Sequence, residues 1–296
     1  MDNKEEKKQS FKVLFARWVL RKYTQHKDTY DLFNTFNRKS DSHFGEDTFR
    51  YAHKQFSEWK KVTLSSKTGK FYLFKAKNNM HPKRLVYMIH GGAFVGGLLR
   101  MWRVYVKHLQ EVFQCDVAAI DYTLGQYPTP FVDICEGYEI LTQDYDDIVV
   151  QGDSAGGFFA VALTCKMINE NKKLPSKVVL FSPYIDMNNL GESHKFNQEK
   201  DVLLGNLDFE RCKEVYAGFV EDKYTSKLLD NNFDLFPPLS VHVGGDEVLL
   251  DDSKMIAAKC KKSEIFIYPG AFHDFPVWPS KEAKLCWDRL KEFEKK

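Results

Sequence analysis

Residues 148–157 read Ile-Val-Val-Gln-Gly-Asp-Ser-Ala-Gly-Gly, and a second apolar run, 158–163, follows them directly. This pattern predicts a strand, a very tight turn and a helix, with Ser154 at the tip of the turn. Gly152 and Gly156 flank the serine at two residues' distance, where the absence of a side chain lets the strand and the helix approach each other. Ser154 is therefore a candidate nucleophile at a helix N-terminus, which favours developing negative charge.

The Gly-x-Ser-x-Gly spacing is a weak indication by itself, because glycine and serine also cluster in ordinary turns. A serine hydroxyl is a poor nucleophile, so it needs a general base, a carboxylate that orients the base, and donors for the oxyanion. In a parallel sheet the active-site crevice opens at the carboxyl ends of the strands. Whether Ser154 is a nucleophile therefore depends on whether the chain places a base, an acid and oxyanion donors at the carboxyl ends of its strands.

The composition restricts the classes of partner. The chain has 296 residues and a formal net charge of +2, with basic and acidic residues interspersed, which favours neither nucleic acid nor a strongly anionic ligand. Its six cysteines stand singly, without a Cys-x-x-Cys pair, so a zinc or redox motif is not expected. A signal-peptide pattern and an apolar run long enough to span a bilayer are both missing, which predicts a cytoplasmic protein without a transmembrane segment.

Strand-like and helix-like runs alternate over residues 84–183 and again from 239 onwards. This alternation predicts an α/β fold with a mostly parallel central sheet flanked by helices. Two short strands, 62–65 and 71–74, are expected to form a hairpin before it. The alternation breaks at about 188–234, which predicts an inserted helical segment. The expected division is an N-terminal helical cap segment at 1–60, core at 61–187, an inserted helical cap segment at 188–235, and core at 236–296.

Two helices are predicted ahead of the sheet, one at 11–30 (Phe11 to Tyr30) and one at about 46–59, because apolar residues recur at helical spacing. The first helix carries basic residues on its other faces. Such a helix can pack on its own protein or lie on a membrane surface. Packing is the preferred interpretation, and peripheral membrane contact through this helix is the alternative.

His273 is the predicted general base, because it follows the last strand-like run, 265–270. The chain has nine histidines, and this one lies both after a C-terminal strand and downstream of an acidic candidate. An imidazole pKa near 7 would let His273 accept the proton of Ser154 and pass it to a leaving alcohol.

Asp246 is the predicted orienting acid, because it lies nearest the end of the strand-like run 241–244. A loop aspartate or a helix N-cap would have the same position. Three further carboxylates follow closely and are rivals for the role: Glu247, Asp251 and Asp252.

The sequence His-Gly-Gly-Ala at 90–93 directly follows another strand-like run and is the candidate oxyanion loop. The backbone N–H groups of Gly91, Gly92 and Ala155 are expected to converge on the oxyanion, because glycines leave such groups unobstructed. His90 is expected to shape this loop. The predicted substrate-binding residues adjoin these motifs, and they are Phe94, Asp153 and Phe158.

Taken together, the motifs resemble the hormone-sensitive-lipase branch of the α/β-hydrolases, which includes bacterial short-chain esterases, arylacetamide deacetylases and steryl acetyl hydrolases. The resemblance covers about 84–275 and rests on residues 90–93, 121–122, 152–157, 182–183, 245–252 and 273–275. It implies triad roles for Ser154, Asp246 and His273, and a cap formed by the N-terminal helices with the insertion. The sequence departs from the usual pattern at 123–128, where relatives continue with Arg-Leu-Ala-Pro-Glu. It also departs at Phe158, a position that is often asparagine in relatives.

The predicted activity is hydrolysis of carboxylic esters through an acyl-enzyme, without metal or cofactor. A cap rich in Phe and Trp favours an apolar, uncharged small-molecule substrate. Short or medium acyl esters of apolar alcohols are preferred, and acetylated lipids or sterols are candidates by resemblance. Two alternatives stay open: amide cleavage by the same triad, and a non-catalytic ligand receptor built on a hydrolase fold. Such receptors usually lose a triad member, commonly the histidine, whereas His273 is present. The sequence leaves the oligomeric state open.

Overall fold

The computed structural model of the protein describes residues 20–21 and 43–296. Within these ranges the strands are β1 (Phe56–Thr63), β2 (Lys70–Ala76), β3 (Arg84–Ile89), β4 (Asp116–Asp121), β5 (Asp147–Asp153), β6 (Lys177–Phe181), β7 (Leu239–Gly244) and β8 (Ser263–Tyr268). The helices are α1 (Phe44–Tyr51), α2 (Arg103–Phe113), α3 (Thr129–Asp144), α4 (Ala155–Asn169), α5 (Ser193–Phe196), α6 (Phe209–Ala217), α7 (Leu250–Lys259) and α8 (Lys281–Glu294).

The strands form one sheet in the order β1-β2-β4-β3-β5-β6-β7-β8. Strand β2 pairs antiparallel with both β1 and β4, and the remaining neighbours pair parallel. Every residue of β4 and of β7 is buried, as expected for strands covered on both faces. The predicted α/β fold with a mostly parallel sheet is confirmed.

Two hydrophobic layers cover the two faces of the sheet, and β3 contributes alternate residues to each. Tyr87 belongs to the layer under α3 and α4, and its hydroxyl donates to the carbonyl of Ile134 at 3.0 Å. Val86 and Met88 belong to the opposite layer, which contains α2 and α8. Because side chains alternate along a strand, each central strand is buried on both faces.

The predicted helix at about 46–59 is wrong in its second half, because α1 ends at Tyr51 and β1 begins at Phe56. The chain from Phe56 onwards pairs with β2, so cross-strand hydrogen bonds replace the helical ones that the apolar spacing suggested. The expected boundary at 60/61 therefore cuts through β1. The other predicted N-terminal helix, 11–30, lies outside the described residues except for Leu20 and Arg21.

The insertion, residues 188–235, lies between β6 and β7. It contains α5, α6 and a short 3₁₀ turn at Leu228–Asp230, and this part of the described chain contributes no strand to the sheet. Within residues 20–21 and 43–296, every helix is too short or too polar to cross a bilayer.

Candidate active site

The tight turn at Ser154 between β5 and α4, here called the elbow, has the geometry that its sequence predicts. Strand β5 ends at Asp153 and α4 begins at Ala155, so Ser154 alone makes the turn, with φ 52° and ψ −123°. This conformation is strained for a residue with a side chain. A Cβ atom added to Gly152 would lie 2.2 Å from a backbone oxygen of α4, and one added to Gly156 would lie 2.1 Å from the carbonyl oxygen at the end of β3. Both glycines are therefore needed for the close packing of strand, turn and helix.

The structure brings His273 together with Glu247. Nδ1 of His273 lies 3.1 Å from Oε2 of Glu247, and both side chains are buried. Glu247 is one of the rivals that the sequence offered for the orienting role, and the role of Asp246 stays a prediction. The turn after β7 is the physical reason for the contact with Glu247, because the N–H of Gly244 donates to Oε1 of Glu247 and the chain folds back on itself there.

Both oxygens of the Glu247 carboxylate have hydrogen-bond partners. Oε1 accepts from the Ser182 hydroxyl at 2.7 Å and from the Gly244 N–H at 2.5 Å, while Oε2 faces His273. Burial raises the pKa of Glu247, and the hydrogen bond with His273 opposes that increase. Ser182, directly after β6, belongs to the motif at 182–183, to which the sequence assigned no role. Its position at a strand end beside β7 is the signal that could have identified it.

The oxyanion loop differs from the expectation at Gly91. Its N–H donates to Oδ2 of Asp153 at 3.0 Å, so this group is already occupied. In the described part of the chain, the N–H groups of Gly92 and Ala155 have no hydrogen-bond acceptor. A Cβ atom added to Gly91 would lie 2.8 Å from Cβ of Ser154, so the loop packs directly against the elbow. Gly92 and Ala155 are the remaining donors for an oxyanion.

Asp153 supports this loop and is fully buried, while its predicted contact with substrate stays a prediction. Its Oδ2 accepts from the N–H of Gly91 and from Nε1 of Trp102 at 2.9 Å. Burial, followed by the charge of Asp274, raises the pKa of Asp153 well above its usual range. Trp102 was not identified from the sequence, since nothing in its local pattern indicates a contact 51 residues away.

The His90 side chain is fully buried at the start of the loop. Its ring stacks on Tyr122 with centroids 4.3 Å apart, and the Tyr122 hydroxyl donates to the His90 carbonyl at 3.1 Å. Burial lowers the pKa of His90 to about 4, so the ring is neutral at physiological pH. This arrangement fits the expected shaping role.

Phe94 and Phe158 belong to a buried aromatic cluster next to the oxyanion loop. Phe94 stacks on Tyr216 of α6 with centroids 4.9 Å apart, and Phe158 meets both rings edge-on at 5.7 and 5.8 Å. All three rings are almost completely buried. The two phenylalanines thus fill space beside the elbow and connect it to the insertion.

The second ring nitrogen of His273 faces a carboxylate. Nε2 lies 3.4 Å from Oδ2 of Asp274. Among the described residues, no hydrogen bond joins His273 to Ser154. Burial alone would lower the pKa of His273. The charge of Asp274 and the contact with Glu247 outweigh burial and raise the pKa to about 9.

With His273 as the predicted general base, catalytic efficiency is expected to rise with pH up to about 9, the raised pKa of His273, because only the neutral imidazole could accept the serine proton. Activity is therefore lost as the pH falls through that value. Asp274→Asn removes the largest raising charge, so we expect the midpoint of kcat/KM against pH to move towards neutrality. Asp288→Asn, on the exposed face of α8, is the control and should leave the midpoint in place. An unchanged midpoint in Asp274→Asn would contradict this assignment.

The comparison with known proteins agrees with this geometry. The family model described as alpha/beta hydrolase fold matches residues 85–277. An esterase from Acinetobacter venetianus is 32% identical over 228 residues, which cover 71% of this chain and 74% of that protein. An acetyl-hydrolase from Streptomyces hygroscopicus is 26% identical over 206 residues, with coverage of 66% and 68%.

Solved structures show the same architecture. The crystal structure of an esterase from the bacterial hormone-sensitive lipase family superposes with a TM-score of 0.78 at 24% identity, covering 97% of this chain and 98% of that chain. The chain therefore shares its fold with that hormone-sensitive-lipase-family esterase. It belongs to the α/β-hydrolase family and is a carboxylesterase/lipase-like hydrolase.

Proposed function

We propose that Ser154, His273 and Glu247 form the catalytic triad of this ester hydrolase. The observation that carries the proposal is the contact between His273 Nδ1 and the buried Glu247 carboxylate, in a fold that places Ser154 at a strained elbow. A carboxylate on Nδ1 favours the tautomer with its proton there, which leaves a lone pair on Nε2. Nε2 is then the atom that takes the proton of Ser154.

The reaction proceeds in two displacements. Ser154 Oγ attacks the ester carbonyl carbon while His273 accepts the hydroxyl proton, and the carbonyl oxygen becomes an oxyanion that accepts from the N–H groups of Gly92 and Ala155. His273 then gives the proton to the departing alcohol, which leaves an acyl-enzyme. Water attacks this ester by the same route, with His273 again as base, and the acid product departs.

We infer that the insertion borders this site as part of a cap. Tyr216 of α6 stacks on Phe94, which follows the oxyanion loop. Asn197, after α5, contacts the backbone of Glu247. The helical segments of the insertion are therefore in contact with two separate parts of the proposed machinery.

The preferred substrates, on this proposal, carry short acyl groups on apolar alcohols. Phe94, Phe158 and Tyr216 fill the space next to the oxyanion loop, so little room is left for a long acyl chain. The described cluster is uncharged, which suits an apolar ester. The similarity to a protein named as an acetyl-hydrolase supports the same choice.

Hydrolysis of p-nitrophenyl acetate, butyrate, octanoate and palmitate tests this function. We expect kcat/KM to be highest for acetate or butyrate and to fall by roughly tenfold or more at octanoate, because an over-long chain must displace packed rings. Phe94→Ala should extend the preference to longer chains, whereas Phe219→Ala, on the exposed surface, should not. A wild-type optimum at octanoate or palmitate would reject the short-acyl proposal, and folded protein without activity on any ester would reject ester hydrolysis.

A further inference from the structure

The acid loop, residues 245–248, carries Glu247 and packs directly against the insertion. Asn197 is fully buried, and its Nδ2 donates to the carbonyl oxygen of Glu247 at 2.8 Å and to a second loop carbonyl at 3.2 Å. Oδ2 of Asp201 accepts a hydrogen bond from the N–H of Val248, with a distance of 3.0 Å. The peptide bond that follows Glu247 is therefore hydrogen-bonded to the insertion through both its oxygen and its nitrogen.

Asp201 is itself held in a fixed orientation. Its Oδ1 accepts the N–H groups of Leu203 and Leu204, both at 3.0 Å, which leaves Oδ2 directed at the acid loop. The carboxylate is 4% exposed, so these hydrogen bonds are shielded from competition with water. Its orientation is thus set within the insertion before it meets the loop.

Asn197 is anchored in a similar way. Its own N–H donates to the carbonyl of Ser193 at 3.1 Å, at the start of α5. The Ser193 hydroxyl donates to the carbonyl of Val248 at 2.6 Å, so the same helix contacts the acid loop a second time. Removing one partner from such a buried network leaves polar groups unsatisfied, which favours movement of the loop.

We propose that Asn197 and Asp201 are positioning residues for the ester hydrolysis, because they hold the acid loop where the Glu247 carboxylate meets His273. The inference rests on the proposed triad. The insertion would then serve catalysis as well as border the substrate site. A misplacement of about 1 Å in a reacting group can cost on the order of 10²-fold in rate, so small shifts of this loop matter.

Asp201 offers a second, electrostatic observable. Its negative charge raises the pKa of His273, after the larger influences of burial, Asp274 and Glu247. Tyr105 and Asp153 belong to the same ionisable cluster. On the insertion side, Lys200 Nζ donates to Oδ1 of Asn197 at 3.1 Å. Loss of the Asp201 charge should therefore lower the pH midpoint of His273, which a merely structural residue would not change.

The first experiment compares Asn197→Ala and Asn197→Asp with Asn188→Ala in the full-length protein. Asn197→Asp keeps the shape but places an acceptor against two carbonyls. We expect both Asn197 variants to lower kcat for p-nitrophenyl acetate by about 10- to 100-fold with KM within about twofold. Asn188, also in the insertion, donates to the Ser226 carbonyl away from the acid loop and should have no effect. Unchanged kcat, or a change confined to KM, would overturn the proposal.

The second experiment is a double-mutant cycle with Glu247→Gln. If Asn197 acts through Glu247, adding Asn197→Ala to Glu247→Gln should cost clearly less than it costs in the wild type, whereas additive losses would contradict that route. Should Asn197→Ala fail to fold, Asp201→Asn decides instead: a lower kcat with a lower pH midpoint supports the proposal, and an unchanged profile overturns it. If the Glu247→Gln variant is fully active, the proposed triad is rejected. If Glu247→Gln is inactive while the Asn197 and Asp201 variants have wild-type kcat, only the positioning role is rejected.

Discussion

Ser154→Ala is expected to lower kcat for p-nitrophenyl acetate by on the order of 10⁴-fold or more, because the acyl-enzyme can no longer form. Substrate binding should change little, since the oxyanion loop and the aromatic cluster remain. Alanine also has a Cβ atom, so the strained φ of 52° is retained and the melting temperature should stay close to that of the wild type. Steady-state kinetics with a thermal melt measure both expectations.

Ser240→Ala is the matched control for this variant. Ser240 is a buried serine on β7, and its hydroxyl contacts His242 at 3.0 Å, away from the elbow. The control should retain wild-type kcat. Labelling with an organophosphate and mass spectrometry of the peptide that contains residue 154 gives an independent readout. Wild-type turnover in Ser154→Ala, or label on another serine, would remove Ser154 from the proposed role.

The turn at Ser154 could be predicted from the sequence because short-range patterns determine its position, and the same holds for the proposed base, His273, at a strand end. The glycines around Ser154 are required by contacts between β5, α4 and β3, which any such tight strand-to-helix turn must make. The buried strands are recognisable as continuous apolar runs, so the parallel part of the sheet was predicted correctly. His273 follows from the same pattern, since it comes directly after the last strand.

The edge of the sheet was harder to predict. Strand β1 exposes most of its residues, and the apolar spacing of Phe56 and Trp59 suits a helix as well as a strand. Pairing with β2 decides between them, and that pairing is a contact between distant residues rather than a local preference. Gly91 gives a second example, because its N–H is occupied by Asp153, 62 residues further along the chain.

The choice between Asp246 and Glu247 also depends on distant residues. Two neighbouring carboxylates follow β7, and local sequence cannot tell which of them turns inward. The donors that hold Glu247 inward include the hydroxyl of Ser182, directly after β6 and 65 residues away, together with the N–H of Gly244. The sequence therefore narrows the predicted acid to one short loop, and the tertiary contacts of Glu247 support our proposal of that residue.

Glu247→Gln is expected to lower kcat by on the order of 10³- to 10⁴-fold, whereas Asp246→Asn should stay within about threefold of the wild type. Two donors already occupy Oε1 of Glu247, so the glutamine must place its carbonyl oxygen there and turn its NH₂ group towards His273. Nδ1 then becomes an acceptor and the proton moves to Nε2. An imidazole protonated at Nε2 cannot accept the proton of Ser154.

The comparison of these two variants should be made at a pH above the His273 midpoint of about 9, where the imidazole is neutral in the wild type. Under that condition a loss of activity reports the tautomer rather than the protonation state, because the ring carries one proton in both proteins. Glu247→Asp offers a further check, since it keeps the charge but shortens the reach, and it should recover part of the rate that Glu247→Gln loses. A larger loss in Asp246→Asn than in Glu247→Gln would return the orienting role to Asp246. Small losses in both would mean that His273 works without a carboxylate from the 245–248 loop.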